Sequence, residues 1–410
     1  MRKALILLGL VFVGMVGWLN QQTNNQTQRP SGWSLSTLLG DAPDGFQRVT
    51  GPVPFNFPAD HAAHLGFRNE WWYFTGRLDA GDRELGFQFT LFRFGVNPPN
   101  EQTQDGADPD ASAWASDHLW MAHLALSDGG TTNTPARFYQ AERFARDTLG
   151  LAGATESAWW LKDWRVSATD TGWQLEASTD EFGLSLDLVA TRPITLQGDQ
   201  GFSQKGPEVG NASHYYSLTR MMATGEVTLH EPNTTPLTVE GLAWLDREWG
   251  SGQLSDTQSG WDWFAIHLDD GRDLMVYRLR NLDDSMSAFS AGVLVEPDGT
   301  THSLDASDFV VEPMKWWTDS SEVAWPTHWA LTVPAHGLSF ITRPLFESQR
   351  WTKSVAYWEG AINVFDANKT RIDGENASTQ VGRGYLELSG YAGRETPRRR
   401  ASQKTPTQAE

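Results

Sequence analysis

Two segments that begin at Trp71 and Trp261 follow one plan, and this repetition constrains the fold more than any other feature. WWYFTGRLDAGDRELGFQFTLFR (71–93) and WDWFAIHLDDGRDLMVYRLR (261–280) both open on Trp-x-aromatic-Phe. Each reaches Leu-Asp (Leu78-Asp79, Leu268-Asp269), turns through a polar stretch containing Gly and resumes at a Leu (Leu85, Leu274). Apolar and polar residues alternate on either side of the turn, as in a strand with one face buried. Two hairpins with shared offsets, far apart in the chain, imply tandem β domains of similar construction.

The rest of the chain agrees. GWQLEASTDEFGLSLDLVA (172–190), TGEVTLH (224–230) and LTVEGLAWLD (237–246) alternate in the same way. Gly, Asp, Asn and Pro bound such runs every ten residues or so, which describes an antiparallel all-β protein, sandwich or barrel. The best helical candidate is the short AERFARDTLG (141–150). A chain of 410 residues exceeds one ordinary core. Two domains are therefore expected, at 41–236 and 237–393.

The ends read differently. Met1-Arg2-Lys3 followed by apolar 4–19 has the length of a secretory signal core and is short for a membrane span. Residues 1–19 are thus a signal peptide or N-terminal anchor, 20–40 a polar linker, and 394–410 a polar, locally basic tail. The expected location is periplasmic or secreted, with membrane attachment only through 4–19 if that segment stays uncleaved.

A net charge of −19 argues against nucleic acid as a partner, because phosphate binding rests on Lys and Arg. The chain has no Cys, which removes disulfides, thiolate metal sites and a Cys nucleophile. Its ten His show no metal-binding frame, so neither a metal nor another cofactor is expected. GFSQKG (201–206) misses the nucleophile-elbow spacing by one position and reads as a turn. The 20 Trp and 20 Phe suggest large rings filling wide interiors or lining apolar pockets.

One local chemistry recurs: a carboxylate flanked by Trp or Tyr. Glu70 precedes Trp71, Asp246 and Glu248 lie between Trp244 and Trp249, Asp262 separates Trp261 from Trp263, and Glu359 follows Trp358. On a strand Asp262 points away from both of its Trp neighbours. With Arg93, Arg220, Arg247 and Arg278 as partners, these acids could form ion pairs between domains or a polar lining inside a barrel.

Six ordered stretches, HLGFRNEWWYFTGRL, QFTLFR, GFSQKG…SHYYSLTR, WLDREWG, GWDWFAIHLDDGRDLMVYRLR and YWEGAINV…GRGYLELSGY, resemble the carotenoid 1,2-hydratase (hydroxyneurosporene synthase, CrtC) superfamily. They resemble most its secreted AttH-like branch, known as predicted secreted hydrolases. The resemblance spans Phe55 to Tyr391 and implies two tandem lipocalin-like β-barrels. It departs from the pattern at Leu65, where Pro is common, at Arg247, where His is common, and at Arg350, where Glu is common. No His role therefore transfers to position 247, and one candidate acid is missing at 350.

Two functions follow as expectations. The first is an exported protein that holds a hydrophobic, lipid- or isoprenoid-like small molecule in a Trp- and Phe-rich barrel cavity, with an ABC-transporter permease as a further partner. The second is a hydratase-like enzyme in which one carboxylic acid protonates an alkene, aromatic rings stabilise the cation and a second carboxylate guides water. An uncharacterised hydrolase stands beside it. The candidate acids and bases are Asp262 and Asp246, then Glu248 and Glu70. The candidate ligand wall is Trp72, Tyr216, Trp261, Trp263 and Trp358, with Glu359 and Arg93 as polar contacts.

Overall fold

A computed structural model describes residues 44–99, 116–232, 234–252, 254–368 and 379–392. The expected signal or anchor (1–19), the linker (20–40) and the tail (394–410) lie outside them. Among the described residues no helix is long and apolar enough to cross a membrane.

The described chain is nearly all β and forms two antiparallel sheets. The first contains β1 (Asn69–Ala80), β2 (Arg83–Gly95), β3 (His118–Asp128), β4 (Arg137–Arg146), β5 (Ala152–Ala154), β6 (Ala158–Leu161) and β7 (Trp164–Ala168). It continues with β8 (Trp173–Ser178), β9 (Phe182–Ala190), β10 (Thr195–Leu196), β11 (Phe202–Gln204), β12 (Ala212–Leu229) and β13 (Leu237–Gly250). The second begins with β14 (Gln258–Leu268), β15 (Asp273–Asn281), β16 (Ala291–Val295), β17 (Thr301–Asp305) and β18 (Val310–Thr318). It ends with β19 (Ala324–Val333), β20 (Leu338–Pro344), β21 (Arg350–Trp351), β22 (Tyr357–Asp366) and β23 (Gln380–Ser389).

The first sheet runs β4-β3-β2-β1-β13-β12-β9-β8-β7-β6-β5 and curls until β6 packs against β2, β3 and β4, giving a near-barrel. The second runs β17-β16-β15-β14-β23-β22-β20-β19-β18 and curls into a half-barrel. These are the expected lipocalin-like units. The change of sheet falls between Gly250 and Gln258, because β13 pairs with both β12 and β1. The strand 237–246, assigned from sequence to the second unit, is thus central to the first. The expected helix at 141–150 is mostly β4, paired with β3 along its length and followed by a single 3-10 turn at Thr148–Gly150. Ladder pairing overrides weak helical propensity there.

The two hairpins of the sequence repeat are β1–β2 and β14–β15. In each, alternate residues take opposite faces. Trp72, Phe74 and Leu78 fill the first barrel, and Phe264, Ile266 and Leu268 fill the second. The opposite faces, carrying Tyr73 and Trp263, turn toward one another and share a third core with Tyr215, Trp244, Met275, Tyr277, Ala361 and Tyr385. Gly86 on β2 permits this approach, since a Cβ there would lie 2.6 Å from the Ala361 Cβ on β22. Polar contacts also cross between the sheets: Arg77 Nη1 donates to Ile362 O at 2.6 Å, Arg220 Nε to Asp273 at 2.9 Å and Arg383 Nη1 to Asp79 at 2.6 Å.

Candidate functional site

The facing hairpins enclose a half-open cavity between the two sheets, about 780 Å³ including its mouth. The first sheet supplies Trp71, Tyr73, Phe92, Tyr215, Asp246 and Glu248. From the second come Trp261, Trp263, Tyr277, Tyr357, Glu359 and Glu387. Register explains the grouping. Tyr73 pairs with Asp246 and Trp71 with Glu248 across β1–β13, so all four side chains share one face. Likewise Trp263 pairs with Glu387 across β14–β23, and Glu387 with Glu359 across β23–β22. The cavity thus lies between the barrels, whereas the sequence reading placed it inside one.

Three buried carboxyl groups, Asp246, Glu248 and Glu359, and the half-buried Glu387 line this apolar chamber, in three settings. Asp246 receives hydrogen bonds from Tyr215 Oη at 2.5 Å, Ser217 Oγ at 2.5 Å and Trp244 Nε1 at 2.6 Å. Burial nevertheless outweighs these donors and pushes its carboxyl up to about 6. Glu248 accepts from Ser213 Oγ and lies 3.2 Å from Lys205 Nζ. Burial disfavours the ammonium of Lys205, but Glu248 and then Tyr277 outweigh it and raise its pKa.

Glu359 and Glu387 occupy the third setting. Burial pushes Glu387 up to about 8, the negative charges of Asp246 and Glu248 add to this, and Trp261 Nε1 donates to it at 3.2 Å. Glu359 is raised well above the carboxylate range by burial and then by Glu387, although Tyr73 Oη donates to it. At neutral pH this wall therefore presents carboxylic acids, which can give up protons.

A polar column leads away from Glu359. The Tyr357 hydroxyl reaches Glu359 and lies 2.6 Å from Nδ1 of the buried His123. His123 Nε2 lies 3.1 Å from the partly buried Glu142, and its ring stacks on Trp351 with centroids 4.3 Å apart. Burial lowers the pKa of His123, with Glu142 opposing, so the neutral imidazole is favoured.

Five residues singled out from sequence line the cavity: Asp246, Glu248, Trp261, Trp263 and Glu359. The other six serve elsewhere. Glu70 points into the end of the first barrel, bonded by Arg93 Nε at 2.8 Å, by Arg247, and by the His64 backbone N–H at 2.9 Å. Burial alone would raise its pKa, but Arg247 and Arg93 together hold it below the usual carboxylate range. Trp72 lies under the Arg247 guanidinium, 3.9 Å from the ring centre, and its Nε1 donates to His61 O at 3.0 Å. The Tyr216 hydroxyl lies 2.6 Å from His61 Nδ1.

In the second barrel Asp262 is bonded by Arg280, by Arg278 Nη1 at 3.1 Å and by Tyr391 Oη at 2.8 Å. Trp358 belongs to the same interior, its Nε1 donating to Glu347 O at 2.8 Å. Glu70, Asp262, Trp72, Tyr216, Trp358 and Arg93 are therefore packing and ion-pair residues inside the barrels, because strand alternation sends them away from the cavity. Arg350, which stands where a Glu is common, pairs with Asp319 at 2.9 Å.

Sequence reasoning missed Glu387, Lys205 and the ring pair Trp71 and Tyr73. Alternation separates Trp71 and Tyr73 from Trp72, but which set shares a face with Asp246 and Glu248 is decided by the β1–β13 register.

The chain matches the AttH-like family over residues 48–391. The crystal structure of a candidate AttH from Nitrosomonas europaea shares 30% identity with a TM-score of 0.70, covering 84% of this chain and 100% of that one. Kievitone hydratase from Nectria haematococca shares the fold, with a TM-score of 0.57 at 14% identity over 86% of this chain and 98% of its own. No curated protein sequence matches. The extent of the family match and the resemblance to the Nitrosomonas protein lead to one conclusion: this chain belongs to the AttH-like family.

Proposed function

We propose that the cavity between the sheets binds a largely apolar, isoprenoid-like molecule and adds water across an isolated alkene in it. The observation that carries this reading is the pairing of Glu359 with Glu387 across β22–β23 in a wall of Trp and Tyr, a setting that raises both carboxyls. Glu387 donates its proton to one alkene carbon, leaving a carboxylate and a carbocation. The faces of Trp71, Trp261 and Trp263 stabilise that cation electrostatically. Water bonds to the cationic carbon and gives a proton to Asp246, and return of that proton to Glu387 restores both groups. The net change is one water added, with no redox step. A fold shared with kievitone hydratase supports the reading as analogy only.

The test is incubation of the protein with farnesol or squalene in heavy-oxygen water, with products read by mass spectrometry. A labelled tertiary alcohol is expected, reduced about 100-fold or more in Glu387→Gln. Binding of either alkene without conversion would overturn the hydratase and leave a carrier. The three donors that satisfy Asp246 favour that second reading, since they suit a static polar lining. A carrier requires the same affinity in wild type and in Glu387→Gln.

A further inference from the structure

We infer a second site, for a divalent transition metal, at one end of the half-barrel and independent of the cavity. Glu296, His302 and His336 come together there, with one ligand atom from each lying within 4.8 Å of the others. His302 Nε2 is 3.5 Å from Glu296 Oε1, and the two imidazole centroids are 4.8 Å apart at a tilt of 52°.

Around tetrahedral zinc, with bonds of about 2.0–2.1 Å, ligand atoms stand roughly 3.3 Å from one another. The Glu296–His302 pair already has nearly that spacing, and the His336 ligand atom lies within 4.8 Å of both. Two imidazoles and a carboxylate are a donor set that zinc, nickel and copper favour over magnesium or calcium. Side-chain exposures of 40% for His302 and 30% for Glu296 leave room for entry and for a water in the fourth position.

The backbones carrying these ligands are already fixed. Glu296 N donates to Thr300 O at 2.8 Å and Gly299 N to Glu296 O at 2.9 Å, closing the β16–β17 turn. His336 lies in the 3-10 turn Pro334–His336 between β19 and β20, where Gly337 N donates to Pro334 O at 3.1 Å. In the sheet order these hairpins are separated by β15, β14, β23 and β22. A bound ion would therefore clip together two parts of the curled sheet that share no ladder bond, resisting its uncurling. No sequence motif announces the site, because Glu296 and His302 belong to the β16–β17 hairpin and His336 to the turn between β19 and β20.

The experiment is calorimetric titration of the full chain, without an affinity tag and freed of metal by chelator, with zinc chloride. One zinc ion per chain is expected, with a rise of a few degrees in the unfolding midpoint. His302→Ala and His336→Ala, each at a partly exposed position, should weaken binding by at least about 10–100-fold. His230→Ala, at an exposed histidine outside the cluster, should leave it unchanged. X-ray absorption of the zinc-loaded protein should show two imidazole ligands. Absence of stoichiometric binding, or equal affinity in wild type and both cluster variants, would overturn the site.

Discussion

Glu359 and Glu387 face each other directly across the β22–β23 ladder and present both carboxyl groups to one cavity. Burial raises both carboxyls, and negative charge adds to it, from Glu387 on Glu359 and from Asp246 and Glu248 on Glu387, so the folded protein retains protons that the unfolded chain would release. Stability from Glu387 is fully present below its ordinary pKa near 4.5 and is lost as pH rises through about 8. Glu387→Gln should flatten this alkaline loss, which is on the order of a few kcal/mol between pH 5 and pH 9. Urea unfolding at pH 5, 7 and 9 measures it; parallel stability curves for the two proteins would refute the protonated pair.

Glu70 has the opposite sign. Arg247 and Arg93 hold its pKa down, so its contribution exists above about 4.5 and fades as pH falls below that value. Glu70→Ala should destabilise by about 3–5 kcal/mol at pH 7, because two guanidinium groups lose their buried partner. The urea midpoint reads this, and a shift under about 1 kcal/mol would show the cluster to be better hydrated than its burial implies.

Asp262 and Asp246 should part company under substitution. Asp262→Ala strands the buried Arg280 and should cost about 3–5 kcal/mol, with cavity affinity unaltered in the folded protein. Asp246→Asn keeps an acceptor oxygen for Ser217 and Trp244, while its amide NH2 donates to the Tyr215 hydroxyl, and it should stay within about 1.5 kcal/mol of wild type. Under the proposed reaction it nevertheless abolishes turnover. Paired denaturation and turnover assays decide, and the reverse pattern would restore Asp262 as the reacting acid.

Gly86→Val tests the contact between the sheets. The added side chain meets Ala361 and the Tyr385 ring, so about 1–3 kcal/mol of overpacking cost is expected. Weaker retention of farnesol should accompany it, read by quenching of the cavity tryptophans. Full retention despite the lost stability would mean that the wall geometry tolerates a displaced sheet.

Much of the fold was legible because strand alternation and the Trp71/Trp261 repeat are local signals. The all-β class, the two barrel-like units and the repeated hairpins were all readable. The boundary was not: whether β13 closes the first sheet or opens the second depends on its pairing partners, and its own residues do not encode them. At the site, Asp246, Glu248, Trp261, Trp263 and Glu359 could be found as acids and rings on common strands. Alternation already separated Asp262 from Trp261 and Trp263, but deciding which face met water, barrel interior or the other sheet required the tertiary structure. Glu387 is one acid between two leucines, in YLEL. Its significance comes from Glu359, which is distant in sequence.

The placement of the cavity has a mechanical consequence. Its walls belong half to one sheet and half to the other, so a molecule seated there touches both and rewards their close approach. Occupancy and docking of the sheets are then thermodynamically linked: whatever loosens the seam weakens binding, and whatever binds tightens the seam by the same free energy. A measurement of how far the two sheets can part would therefore also reveal whether the chamber is filled, even with the occupant unidentified.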